Sequence, residues 1–182
     1  MMQRVVRHHH VAIRRHLFST SRLIHGEDEM ERFGAALASQ IPSTQSGNVL
    51  LLHGDLGCGK TCFARGFART WCSDASMDVT SPTYLLINTY NPPSTSKRST
   101  LHHMDLYRLD RVTSTDAEAL GLEDAFTNGT SIVEWPDRLQ ELPTPRLDVH
   151  ITYTDVEGER EVHVAAHGGK WERVQAWFHA DS

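Results

Sequence analysis

No stretch of this 182-residue chain comes near the ~20 consecutive apolar residues of a membrane-crossing helix, so no such span and no membrane partner is expected. Cysteine is scarce. The three present, Cys58, Cys62 and Cys72, have spacings that fit neither a zinc site nor the disulfide framework of a small secreted protein. They point to a reducing compartment. Acidic residues are missing from Met1 to Gly26, a segment with five arginines (Arg4, Arg7, Arg14, Arg15, Arg22). Setting those arginines aside leaves 13 basic against 23 acidic residues, a balance near −10. A body so acidic argues against a broad, sequence-independent nucleic-acid surface, though not against a local basic patch. Repeats are absent, and no break in composition divides Glu27 to Ser182. The length suits one globular domain with a sizeable core.

The acid-free segment has its own chemistry. Val11, Ile13, Leu17 and Phe18 are interspersed among the arginines, and Ser19, Thr20 and Ser21 add hydroxyls. This is the composition of an organelle transit peptide, which forms a basic amphipathic helix. The stretch from Arg15 to Ile24 also resembles a mitochondrial presequence with its processing site near Ile24. Residues 1–26 are therefore expected to be a transit peptide and residues 27–182 the functional domain, with the mitochondrial matrix as destination. Composition alone leaves a plastid address, or a basic tail on a cytosolic protein, open. His8, His9 and His10 receive no role.

What the chain does have is Gly54-Asp-Leu-Gly-Cys-Gly-Lys-Thr61, a full match to G-x-x-x-x-G-K-[ST]. It follows the apolar run Val49 to Leu52 and precedes a helix-like stretch from Cys62, the strand–loop–helix setting of a phosphate-binding loop. Gly54, Gly57 and Gly59 let the backbone turn tightly and aim its N–H groups inward. The positive end of the following helix adds to that nest. Lys60 can reach β- and γ-phosphates, and the Thr61 hydroxyl can ligate Mg²⁺. Cys58 faces a helix N-terminus, which would lower its pKa; alternatively it only fills a small-residue slot.

Around the loop the pattern alternates helix and strand. Helices are expected over Glu27 to Gln40 and Cys62 to Trp71, with Met30, Phe33, Ala36 and Leu37, then Phe63, Phe67 and Trp71, at helical spacing. Strands are expected at Val49 to Leu52, Leu85 to Tyr90, Leu101 to Leu106 and Ser131 to Glu134. A short helix is read over Ala117 to Phe126, and a terminal one over Trp171 to Phe178. Leu147 to Tyr153 and Arg160 to Ala166 alternate around Glu157-Gly158, which reads as a C-terminal β-hairpin. Together these give an α/β P-loop NTPase fold with a largely parallel central sheet and flanking helices.

Turnover needs more than a phosphate loop: Mg²⁺ ligands and a group that orients the attacking water. Leu101-His-His-Met-Asp105 is a degraded apolar-strand-plus-Asp motif. Asp105 is the candidate second Mg²⁺ carboxylate, and Leu106 stands where many ATPases have an adjacent Glu. Glu134 ends Ile132-Val133-Glu134, where a parallel strand delivers it to the ligand edge. Standing alone, either acid also reads as a structural or solvated residue. Ser81-Pro82-Thr83 places two hydroxyls on a stiffened turn and can sense a γ-phosphate, or is an ordinary turn. His103 in isolation reads as a packed strand histidine. Trp135 caps the pocket or fills core.

The blocks His53 to Thr61, Phe63 to Gly66, Ser81 to Tyr84, His103 to Leu109, Gly121 to Asp124 and Val133 to Pro136 together resemble the TsaE (YjeE) family, in order and approximate spacing, over about Glu27 to Ala166. These are small ATPases of tRNA threonylcarbamoyladenosine biosynthesis. The resemblance implies ATP and Mg²⁺ as cofactors. Nucleotide contacts fall to Asp55, Leu56, Gly57, Cys58, Gly59, Lys60, Thr61 and Cys62 with Trp135, metal ligation to Thr61, Asp105 and Glu134, and catalysis to Asp105, Glu134 and Lys60. Ser81, Pro82 and Thr83 become the switch. It also implies slow turnover alone and partners in a TsaD-like threonylcarbamoyl transferase and its TsaB-like paralogue, with tRNA met only through that complex. Cys58 and Cys62 depart from the family's usual small or hydroxyl residues without removing a ligand. A small-molecule kinase, a non-hydrolysing scaffold and a GTP switch are the alternatives. Arg108, Arg111 and Arg138 make a poor kinase lid, and no Asn-Lys-x-Asp guanine-reading motif is present.

Overall fold

The computed structural model describes residues 20–180. Most of the expected transit segment, with His8 to His10, lies outside the described residues. In chain order the elements are β1 (Arg22–His25), α1 (Gly26–Gln40), β2 (Asn48–His53), α2 (Lys60–Trp71), β3 (Ile87–Tyr90), β4 (Leu101–Asp105), α3 (Ser114–Ala119), α4 (Leu122–Thr127), β5 (Thr130–Glu134), β6 (Arg146–Tyr153), β7 (Glu159–His167) and α5 (Glu172–Ala180). The seven strands form one sheet in the order β1-β7-β6-β2-β5-β4-β3. Its centre, β6-β2-β5-β4, is parallel, while β3, β7 and β1 join antiparallel at the two sides. The expected α/β architecture and the β6–β7 hairpin are both present.

The parallel centre follows from β2. Val49, Leu50, Leu51 and Leu52 are all essentially inaccessible, as a strand covered on both faces must be. Because side chains alternate, Leu50 and Leu52 enter the core beneath α1, α2 and α5, and Val49 and Leu51 enter the one beneath α4. Helices α1 and α2 cross at very short range. A Cβ on Gly34 would lie 2.1 Å from the Phe63 carbonyl oxygen, and one on Gly66 would lie 1.8 Å from that of Glu31. Two glycines thus let the backbones touch, and Glu31 closes the seam with Arg69 at 2.5 Å and Arg65 at 3.6 Å.

Several boundaries differ from expectation, three of them with consequences. Arg22–His25, assigned to the transit segment, is a strand paired with β7 from Arg22↔Val162 to His25↔Glu159, so the folded body begins before Glu27. Ile24 is buried there, and cleavage beside it would dismantle the strand. The single helix read over Ala117 to Phe126 is two helices, α3 and α4, parted by Gly121 in the left-handed region at φ 64°. Strand β3 starts at Ile87 rather than Leu85, because Leu86 adopts φ 68° and turns the chain.

Candidate active site

The phosphate loop runs from the end of β2 to the first turn of α2. Gly54, Gly57 and Gly59 have φ of 145°, 77° and 110°, a path that side-chain-bearing residues rarely follow. A Cβ on Gly54 would strike the Ile151 carbonyl oxygen at 2.3 Å. Tyr153, on the hairpin, donates to the Leu56 carbonyl at 2.8 Å and braces the loop tip, where Asp55, Leu56 and Gly57 are exposed. Lys60 is buried. Its ammonium donates to the carbonyls of Gly54 at 2.7 Å and Asp55 at 2.8 Å and lies 4.1 Å from the centre of the Trp135 ring.

Both predicted acids stand at the same edge. Asp105 ends β4, Glu134 ends β5, and they are register partners across the parallel ladder; Leu52 of β2 is the partner of Glu134 on its other side. Parallel strands therefore deliver both carboxylates beside the loop, as the strand-end rule for open α/β sheets requires. Glu134 accepts a hydrogen bond from Thr61 Oγ1 at 3.0 Å and another from His103 Nε2 at 2.8 Å. Asp105 accepts from both hydroxyls of the Ser81–Thr83 turn, Ser81 Oγ and Thr83 Oγ1, and from the Tyr107 backbone N–H at 3.0 Å. Pro82, between the two hydroxyls, is buried and holds the turn. After Glu134 the chain reverses through Trp135 at φ 61°, ψ 51°. That left-handed residue, sparsely populated for a bulky side chain, swings the indole over Lys60 and against Tyr107 at 4.9 Å.

Two cysteine expectations change with burial. Cys58 is 1% exposed, and burial pushes its thiol up, with Lys60 offsetting only part of that. It is a small filler beneath Gly54, and the activated-thiol reading fails because desolvation outweighs the helix end. The Cys62 thiol is likewise raised, by burial first and then by Glu27 of α1, and its side chain packs against the core beneath α1 and α2.

His103 is the member that sequence reading assigned no catalytic part. It is fully buried in β4, two residues before Asp105, and its bond to Glu134 spans 31 positions. Its alternation with Asp105 placed both on one side of the strand; only the pairing of β4 with β5 placed Glu134 opposite. His103 Nδ1 is buried and has no hydrogen-bond partner among the described residues.

A glycine nest on a helix N-terminus, a buried lysine at its mouth and two carboxylates on adjacent parallel strand ends define a P-loop nucleotide-binding protein of the ATPase type. Comparison narrows the class. The sequence model of the family described as threonylcarbamoyl adenosine biosynthesis protein TsaE matches residues 24–162. The tRNA threonylcarbamoyladenosine biosynthesis protein TsaE of Rickettsia bellii is 32% identical over 140 residues, 76% of this chain and 90% of that protein. The Bacillus subtilis protein of the same name is 38% identical over 130 residues, 70% and 75% of the respective chains. Among solved structures, Bacillus subtilis YdiB superposes with a TM-score of 0.66 at 28% identity, over 89% of this chain and 95% of that one. The chain belongs to the TsaE family.

Proposed function

We propose that the chain is an ATP-hydrolysing accessory protein of tRNA threonylcarbamoyladenosine formation, acting on a TsaD-like transferase and its TsaB-like paralogue and meeting tRNA only through them. The observation that carries this reading is Glu134, buried beside the loop, with Thr61 and His103 both bonded to its Oε1. The oxygen set of Thr61, Asp105 and Glu134 suits Mg²⁺, a hard cation that takes hydroxyl, carboxylate and phosphate ligands. Bound there, Mg²⁺ would supply positive charge against the phosphates. Lys60 exchanges two neutral carbonyl partners for phosphate oxygens, a stronger charge-assisted bond. His103 keeps Glu134 aimed at the loop, where that carboxylate orients water or holds the metal. Ser81 and Thr83, tied to Asp105, couple the switch turn to the same edge. Trp135 excludes water above Lys60.

The test is ATP turnover by the full chain, alone and with the transferase pair. Turnover should be slow alone, rise with the partners and depend on Mg²⁺, and Glu134→Gln should lower the stimulated rate about 100-fold. An unchanged stimulated rate in Glu134→Gln, or one phosphorylated acceptor formed per ATP, would overturn the proposal. The same reading sends the protein to the mitochondrial matrix, on the strength of its acid-free arginine segment. Residues 1–30 fused to a fluorescent reporter should carry it there, and a diffuse cytosolic signal would refute that address.

A further inference from the structure

One face of the sheet, on the hairpin side, carries chemistry that nucleotide binding does not use. His53 ends β2, and its register partner on β6 is His150. The two imidazoles lie 4.3 Å apart, centre to centre, and nearly parallel at 12°. Asp148 lies two residues before His150 and so on the same face of β6. A ring nitrogen of His53, one of His150 and a carboxylate oxygen of Asp148 all lie within 4.8 Å of one another. His53 Nε2 is buried without a hydrogen-bond partner and stands 3.8 Å from Asp148 Oδ1. An orphaned imidazole nitrogen aimed at a buried carboxylate, with a second imidazole alongside, is an arrangement that wants a shared cation.

The surroundings fit. Arg146 Nε holds Asp148 Oδ1 at 3.0 Å, and His167 Nε2 approaches Oδ2 at 3.0 Å. These are the outer partners that orient a ligating carboxylate, and each oxygen keeps a further lone pair. The guanidinium of Arg146 opposes any cation held by charge alone, which disfavours Mg²⁺. A nitrogen-rich set instead suits an ion that binds imidazole covalently. Bonds of about 2.0–2.1 Å require ligand atoms roughly 3.3 Å apart, so the partly exposed His53 and His150 side chains would close inward by about an ångström.

We propose that His53, His150 and Asp148 form a second metal site, for a borderline-soft divalent cation such as Zn²⁺, at the root of the phosphate loop. The ion pins the end of β2 to β6 one residue before Gly54, whose carbonyl receives Lys60. It is separate from the oxygen-lined Mg²⁺ site at Thr61.

Co²⁺ titration of the full chain in excess Mg²⁺ tests this, because Co²⁺ bound by imidazoles in a tetrahedral site absorbs intensely in the visible. One equivalent should bind and be displaced by Zn²⁺. His150→Gln should weaken it by at least about tenfold while ATP binding persists, and Thr61→Ala should leave the Co²⁺ band in place. Asp148→Asn repeats the test should His150→Gln fail to fold. The proposal is overturned by the absence of a band, by a band unchanged in both His150→Gln and Asp148→Asn, by its loss in Thr61→Ala, or by its loss only when His8, His9 and His10 are replaced.

Discussion

Lys60 couples the loop to the rest of the site. Its buried ammonium is stabilised by two loop carbonyls and an indole face, all of which sit where a phosphate arrives. Its charge therefore contributes through bonds made to the ligand, each worth about 1.5–3 kcal/mol when charge-assisted. Lys60→Ala should weaken ATP binding at least about 100-fold by calorimetry while leaving the fold intact, since the carbonyls it releases can turn to water. A variant binding within a few-fold of the parent would remove Lys60 from phosphate recognition. Cys58 shows the opposite logic. It lies two residues before the first residue of α2, but burial pushes its thiol up, so proximity to a dipole does not by itself make a reactive group.

Among the elements, the α1–α2 seam is the least tolerant. Gly66 has no space for a methyl group, because the nearest atom is a backbone oxygen that cannot rotate away. Gly66→Ala must push α1 off α2, and the first turn of α2 is the phosphate-binding turn. A loss of about 3 kcal/mol of stability is expected, roughly a 10 °C fall in melting temperature, with weaker nucleotide binding alongside. Gly121 is the control. Its Cβ would meet open space, and only the left-handed φ is unfavourable, so Gly121→Ala should cost about 1 kcal/mol. Equal losses in the two variants would show that helix crossing is not what Gly66 serves. Strand ends act at the same scale: β4 and β5 bring Asp105 and Glu134 side by side because parallel pairing aligns their C-terminal ends.

For the whole molecule, closure depends on the first strand. β1 covers the outer edge of β7, and Arg22 fastens it to α5 by donating to the carbonyls of Trp177 at 3.1 Å and Phe178 at 2.7 Å and by lying 4.6 Å from the Trp177 ring. A chain starting at Glu27 loses buried Ile24, bares the β7 edge and should melt roughly 10 °C lower, with aggregation, than one starting at Ser21. Equal melting points would show that β1 is dispensable.

The sequence by itself determined whatever depends on neighbours in the chain. The loop glycines, Lys60 and Thr61 fall within eight residues. β2 is continuous in its apolar character, α1 and α2 in their period, and Asp105 and Glu134 end recognisable strands. Tertiary structure alone decided what depends on partners far along the chain. His103 meets Glu134 across 31 positions, and the turn hydroxyls Ser81 and Thr83 meet Asp105 across 24 and 22. β1, four residues within a basic segment, becomes a strand only because β7 offers it an edge more than 130 positions later, from His25↔Glu159 to Arg22↔Val162. The three side chains of the proposed cation site gather because β2 and β6 pair in one register. A shift of a single residue would turn His150 and Asp148 to the opposite face, and no local pattern records that choice.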